Sequence, residues 1–303
     1  MPETRTVLLR LAPAVTGPLI AIDWGTTNRR CFLIEDGRVK ATTRDERGAL
    51  TINGGDYEGE VAAIRARWGN APVLIAGMAG SNRGWQEVAY IGCPAKAEDL
   101  ANGIEWIEPR TVGIVPGVAQ HHPRPDVMRG EEVQFLGAIA GGLAPDPGLL
   151  CQPGTHCKWA HVADGAIVDF STAMTGELFA LMHDHSLLAP QLQQAAVPGD
   201  AFLEGVKDAR RFSLPVALFG VRAASLLGKR PDDDAASYTS GLLIGSDVAA
   251  QDVSGRAVHI LSDGPLGDLY AAATTEFGGR PVIVDGSAAF TTGMSLLWEI
   301  ANA

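Results

Sequence analysis

With 303 residues, 46% of them hydrophobic and 19% charged, the chain exceeds one compact domain and is apolar enough to fill real cores, which excludes disorder and makes two domains sharing a cleft the expectation. A formal net charge of −11 excludes the attraction that a general nucleic-acid or anionic-membrane binder needs, and points to a small-molecule ligand. No run approaches the roughly 18–20 apolar residues of a spanning helix, and Cys31, Cys93, Cys151 and Cys157 form no CxxC pair, as expected of reduced cytoplasmic thiols.

Residues 1–18 read as an N-terminal extension, because the apolar run Val7 to Leu9 is too short for a signal peptide. Leu19-Ile-Ala-Ile-Asp-Trp is a buried strand that enters the turn Gly25-Thr26-Thr27-Asn28, then a second strand, the hairpin turn Asp36-Gly37 and a third strand. Tyr57 to Trp68 is a helix, and Val73-Leu-Ile-Ala is a short strand running into the glycine-rich stretch Gly77 to Gly84. Arg129 to Leu143 is a helix with Val133, Leu136, Gly137 and Ala140 on one face. Pro145-Asp-Pro-Gly marks the boundary between halves. Beyond it the opening pattern returns: a strand from Leu149, the turn Gly154-Thr155-His156, a second strand, Asp164-Gly165 and a third strand. Gly25 precedes its hairpin glycine by 12 residues and Gly154 by 11, which favours a duplicated unit over two unrelated hairpins. Helices follow between His183 and Arg222, then a charged loop from Lys229 to Asp234. Val258-His-Ile-Leu ends in Ser262-Asp-Gly-Pro-Leu-Gly and a helix near Leu269 to Phe277. The strand Val282-Ile-Val precedes Asp285-Gly-Ser, the cap of a closing helix with Phe290, Met294 and Leu297 on one face. The whole is an α/β pattern.

Tight glycine turns at strand ends hold phosphate through amides and neighbouring hydroxyls, and the two Gly-Thr turns are of that kind. Neither G-x-x-x-x-G-K-[ST] nor G-x-G-x-x-G occurs, so two facing hairpin turns remain as the grip on a triphosphate. Asp23 ends an apolar strand, where an unpaired carboxylate is costly; it either caps the turn or is stabilised by Mg2+, directly or through water. Glu131 and Glu132 open a helix whose dipole favours carboxylates; either one orients an attacking hydroxyl or both merely decorate the first turn. Lys158 either reaches a phosphate or stands exposed on the hairpin. His121-His122 and His183-x-His185 lack a third ligand at zinc-like spacing.

Asp23-Trp-Gly-Thr-Thr-Asn, Gly77-Met-Ala-Gly-Ser-Asn-Arg-Gly-Trp, Met128-Arg-Gly-Glu-Glu, Pro153-Gly-Thr-His-Cys-Lys-Trp and Ser240-Gly-Leu-Leu-Ile-Gly together resemble the 2-dehydro-3-deoxygalactonokinase family, from Leu19 to the C-terminal helix. The resemblance implies the actin-like ATPase fold, in which two ribonuclease-H-like domains close a central cleft on ATP, Mg2+ and a sugar acid. Residues 19–144 with the helix 287–303 would form the first domain, and residues 145–286 the second. The implied reaction phosphorylates the terminal 6-hydroxyl of 2-dehydro-3-deoxy-D-galactonate in the cytoplasm. A kinase for another sugar or keto-deoxy acid, and a non-catalytic nucleotide-gated protein, are the alternatives.

Related glycerol and xylulose kinases carry a Gly-Asp pair in the place of Gly130-Glu131, which implies Glu131 as base. Many superfamily members begin the second hairpin with an acid; Gln152 departs from that pattern and suits transfer to a sugar rather than to water. Gly25, Thr26, Thr27, Asn28, Gly154, Thr155, His156 and Lys158 would hold phosphate. Glycine-rich helix starts at Gly241 to Gly245 and Gly264 to Gly267 would hold adenosine, or else serve plain close packing of helices. Met78, Ala79, Gly80, Ser81 and Asn82 would wrap the sugar acid, with Arg30, Arg83 or Arg129 on its carboxylate. Trp85 either stacks on the ligand or fills the core, and the core is the expectation. Self-association into a homodimer stays open.

Overall fold

The computed structural model describes residues 17–303, so most of the expected N-terminal extension lies outside the described residues. The first half contains β1 (Leu19–Trp24), β2 (Arg29–Glu35), β3 (Arg38–Asp45), α1 (Tyr57–Trp68), β4 (Val73–Gly77), β5 (Ile91–Gly92), β6 (Ala95–Lys96), α2 (Ala97–Asn102), β7 (Glu105–Glu108), β8 (Val112–Ile114), β9 (Val118–Gln120), β10 (Asp126–Met128) and α3 (Glu131–Ala140). The second half contains β11 (Gly148–Gln152), β12 (Cys157–Ala163), β13 (Ala166–Ala173), α4 (Thr175–His185), α5 (Asp200–Arg211), α6 (Leu214–Leu226), α7 (Ala235–Ala249), β14 (Ala257–Leu261), α8 (Pro265–Glu276), β15 (Arg280–Val284) and α9 (Gly286–Ala301).

The repeated pattern in the sequence becomes a repeated sheet. One sheet has the order β3-β2-β1-β4-β8-β7 and the other β15-β14-β11-β12-β13-β6. In each, an antiparallel three-stranded meander is extended by two parallel strands on the side of its first strand. Asp36 (φ 51°) with Gly37 (φ 68°) and Asp164 (φ 54°) with Gly165 (φ 73°) form the equivalent tight turns, the left-handed geometry that Asp-Gly pairs favour. Even the β-bulges correspond, between Leu33 and Ile34 and between His161 and Val162.

Strand alternation supplies each sheet with two apolar faces. Leu19, Ala21, Phe32, Leu74 of the first sheet and Leu150, Ala160, Val162 of the second share one core with α2, α3 and α9, which therefore lie between the sheets. The outer face of the first sheet packs on α1 through Tyr57 and Val61, and that of the second packs on α5, α7 and α8. Helices α3 and α9 touch closely: a Cβ on Gly137 would stand 2.0 Å from the Ala289 carbonyl oxygen, and one on Gly293 2.2 Å from that of Val133.

Several boundaries differ from the sequence reading. The expected helix 129–143 begins at Glu131, because Gly130 at φ 111° turns the chain into it. Helix α8 starts earlier, at Pro265. Strand β6 crosses from the first half to the edge of the second sheet, and a three-stranded sheet of order β10-β9-β5 is additional; strands of two or three residues leave no periodicity to read. Trp85 stacks on Tyr57, centroids 5.7 Å apart, in the outer core as expected.

Candidate active site

The two Gly-Thr turns meet across one cavity of about 250 Å3. Its wall includes Asp23, Gly25, Thr26 and Arg30 on one side, Gln152, Pro153, Gly154, Thr155 and His156 on the other, and Gly77, Met78, Arg129, Gly130, Glu131 and Gln134 between. Each turn is braced from outside. Gly48, Ala49 and Leu50 donate their N–H groups to the carbonyls of Thr27, Gly25 and Thr26 at 3.0, 2.8 and 3.2 Å. Glu177 N donates to the Thr155 carbonyl at 3.0 Å, and Gly176 packs so tightly on the second turn that a Cβ would lie 2.5 Å from the Gly154 oxygen. With these carbonyls engaged, what the turns offer a ligand is donors, their amides and threonine hydroxyls. Asn28 braces its own turn through Thr27 Oγ1.

Two further glycines let backbone converge behind the turns. Gly77 (φ 99°) leaves no room for a Cβ, which would sit 2.6 Å from the Trp24 oxygen, and Gly130 abuts Gly77. This contact sets the start of α3 against the end of β1. Glu131 consequently faces the cavity, its Oε2 accepting from the Arg129 amide at 3.0 Å. Burial pushes its carboxyl up, opposed by the Lys158 charge and reinforced by that of Asp23. Glu132 is fully buried, and both its oxygens accept from Gly130 N, at 2.8 and 2.7 Å. Burial and the neighbouring Glu131 push it up to about 8.

Asp23 is not an unpaired carboxylate. Arg30, directly opposite in the β1–β2 ladder, donates to its Oδ2 from Nε at 3.1 Å and Nη2 at 2.7 Å. The third arm, Nη1, reaches Asp263 at 2.9 Å. Asp263 in turn accepts from Gly286 N and from Ser287 Oγ, both at 2.8 Å. Despite burial, Ser287 and Arg30 hold its carboxyl below the ordinary range. Arg30 is thus committed to two acids. Arg129 is not: its guanidinium lies 4.3 Å over Tyr90 and donates from Nη2 to the Val88 carbonyl at 2.7 Å, while its buried Nε and Nη1 have no partner. Gly80 leaves the room, since a Cβ there would come within 2.8 Å of Nη1.

Other expected residues stand elsewhere. Lys158 is neither at the cavity wall nor exposed: it is buried in β12, donating to the Val127 carbonyl and Thr172 Oγ1, both at 2.8 Å. Strand alternation sends it to the face opposite buried Cys157 and Trp159. Gly241 and Gly245 are not at a helix start but inside α7, where a Cβ would stand 2.1 Å from the Phe202 oxygen and 2.8 Å from Val206 Cα, so they serve contact with α5. Gly267 packs on Ser262, and Gly264 caps α8. Arg83 and Asn82 are exposed and outside the wall, and Ala79 and Gly80 are buried. His156 lines the cavity with Nε2 2.6 Å from Glu177 Oε2.

Beside Gly154 a second, largely apolar cleft opens between α4, α7 and α8, lined by Gly176, Phe179, Leu243, Ile244, Leu266 and Tyr270 among others. It was not legible from glycine spacing; its signal is the apolar residues of α7 and α8 that alternate with the small ones. Among the described residues no group of three or more His, Cys, Asp or Glu could hold a metal ion, and no helix is long and apolar enough to cross a membrane.

The family model 2-keto-3-deoxy-galactonokinase matches residues 23–297. The 2-dehydro-3-deoxygalactonokinase of Escherichia coli (strain K12) is 35% identical, over 95% of this chain and 100% of its own. A protein of Rhizobium meliloti (strain 1021) assigned the same activity is 38% identical over 92% of this chain and 96% of its own. A crystal structure from Sinorhizobium meliloti, of a protein assigned that activity too, superposes with a TM-score of 0.85 at 36% identity, covering 92% and 95% of the two chains. At 11% identity, the Clostridium difficile activator of 2-hydroxyisocaproyl-CoA dehydratase, solved with ADPNP, superposes with a TM-score of 0.53 over 94% and 96% of the chains, which speaks for the fold alone. The duplicated sheets are those of the actin-like ATPase fold, and with the family model matched from Asp23 to Leu297 the chain belongs to the 2-keto-3-deoxy-galactonokinase family.

Proposed function

We propose that the protein transfers the γ-phosphoryl group of ATP to the terminal 6-hydroxyl of 2-dehydro-3-deoxy-D-galactonate. One observation carries the reading: Gly25-Thr26 and Gly154-Thr155 line a single cavity together with Glu131. Phosphoryl transfer asks little covalent chemistry of a protein; it asks for positioning and charge neutralisation. Donor-rich turns on opposite walls meet the phosphates, and the apolar cleft beyond Gly154 meets the adenosine. Glu131, not Glu132, is the base, because it alone of the two faces the cavity while Glu132 ties down the helix start. Its raised pKa makes it a better proton acceptor once ionised. Arg129, with two unpartnered nitrogens beside the cavity, is the cation for the substrate carboxylate, and Met78 lines the sugar side. Arg30 orients Asp23 instead.

The donor set fits magnesium in the form that this ion prefers, one carboxylate with the nucleotide's own oxygens and water. Asp23 is the residue that would hold it, and bound there the ion would neutralise phosphate charge. We assign residues 19–144 with 287–303 to one domain and 145–286 to the other, the cleft between them closing over the substrates. The reaction belongs in the cytoplasm, in keeping with four free cysteines. The test is a steady-state assay with ATP and Mg2+ across 2-keto-3-deoxy acids, sugars and polyols. Turnover should be greatest with the galactonate derivative; greater turnover with another acceptor would refute the substrate, and ATP binding without turnover on any acceptor would refute the activity.

A further inference from the structure

Helix α6 is apolar on its inner and its outer face, with Arg222 and Ser225 along one flank. Ala217 and Val221 on its inner face are buried with Leu188, Leu192, Tyr238 and Leu242. Its outer face carries Val216, Phe219 and Leu226 and is continued by the C-cap Leu227, exposed at 63, 65, 68 and 72%, with Gly220 and Ala223 between them. These positions recur at helical spacing and make a continuous stripe along the helix, and an exposed apolar stripe of this kind marks a protein interaction surface. Helix α4 and its N-cap Met174 widen the face with Leu178 and Leu181, and Met174 and Leu178 line the same groove as Leu214 of α6.

We infer that this face is an interface with a second copy of the chain, the two α6 helices packing antiparallel across a two-fold axis. Four observations favour that occupant. At roughly 100 Å2 of exposed surface each, the seven side chains present on the order of 700 Å2, close to the roughly 800 Å2 per partner of a standard interface. The chain carries a net charge of −11, so copies repel over most of their surfaces, yet α6 contains no acidic residue. The ends of the stripe differ in charge: Arg210 and Arg211 precede it, Arg211 paired with Asp208 of its own chain. After Lys229 and the Glu204-paired Arg230 come Asp232, Asp233 and Asp234, of which Asp233 and Asp234 are left to meet a cation of a partner. A two-fold axis sets the first end of one copy against the last of the other and opposes the two helix dipoles. Around Gly220 a Cβ would meet nothing within 4 Å, open space that leaves a partner helix free to approach the backbone closely.

Sedimentation velocity on the full chain at micromolar concentration tests this. The wild type should sediment at twice the 31.8 kDa of one chain. The double variant Phe219→Glu, Leu226→Glu should sediment as a monomer, with circular dichroism and turnover unchanged because neither residue lines the active-site cavity; Phe219→Leu should remain dimeric. A monomeric wild type would overturn the inference, whether it stays free or instead co-sediments with phosphatidylcholine vesicles. So would a dimer that survives both glutamates.

Discussion

Glu131 and Glu132 are neighbours in one helical turn, yet their surroundings separate their chemistry. Glu131→Gln should lower kcat by about 100-fold or more while leaving nucleotide affinity nearly intact, as loss of a general base does; unchanged kcat would remove Glu131 from that role. Because burial raises its pKa, wild-type turnover should climb with pH above the ordinary carboxylate range, and the variant should lose that limb. Glu132 affects stability instead. Its pKa rises from 4.5 unfolded to about 8 folded, so the unfolded chain releases this proton first and stability falls as pH rises from about 4.5 to 8. Glu132→Gln should flatten that fall in thermal midpoint, keeping an oxygen for Gly130 N. Arg129→Lys should raise KM for the sugar acid at least about 10-fold with KM for ATP unchanged, since an ammonium cannot reproduce the planar donors.

At the scale of elements, Gly241 separates two readings of one motif. If it touched adenosine, Gly241→Ala would raise KM for ATP. The packing of α7 on α5, 2.1 Å from a prospective Cβ to the Phe202 oxygen, predicts instead a destabilisation of about 1–3 kcal/mol, seen in chemical denaturation, with KM for ATP unaltered. Sequence could not settle this, because glycine marks both close ligand approach and close helix contact. The meanders were legible, since two Asp-Gly turns at matched distances from two Gly-Thr turns define strand lengths by themselves. The Asp23–Arg30 pair was also within reach: the length of the first turn sets the two opposite each other. Lys158 was not, because its partners Val127 and Thr172 lie on other strands, and only three-dimensional pairing brings them there.

Across the whole molecule, one core holds the two sheets together through α2, α3 and α9, while on the cavity side the link is polar. Arg30 of the first sheet grips Asp263, which follows β14 of the second and holds the first residues of α9. A continuous apolar core resists shear, whereas a few half-exposed ion pairs are worth little each, so closure should pivot on the core and open at the polar side. Asp263→Asn keeps the side chain's shape but removes the charge that Arg30 pairs with. It should lower the thermal midpoint by only a few degrees, speed hydrogen exchange at residues 285–288, and raise KM for both substrates together. Exchange confined to wild-type rates, with both KM values unmoved, would mean that this contact plays no part in how the halves meet.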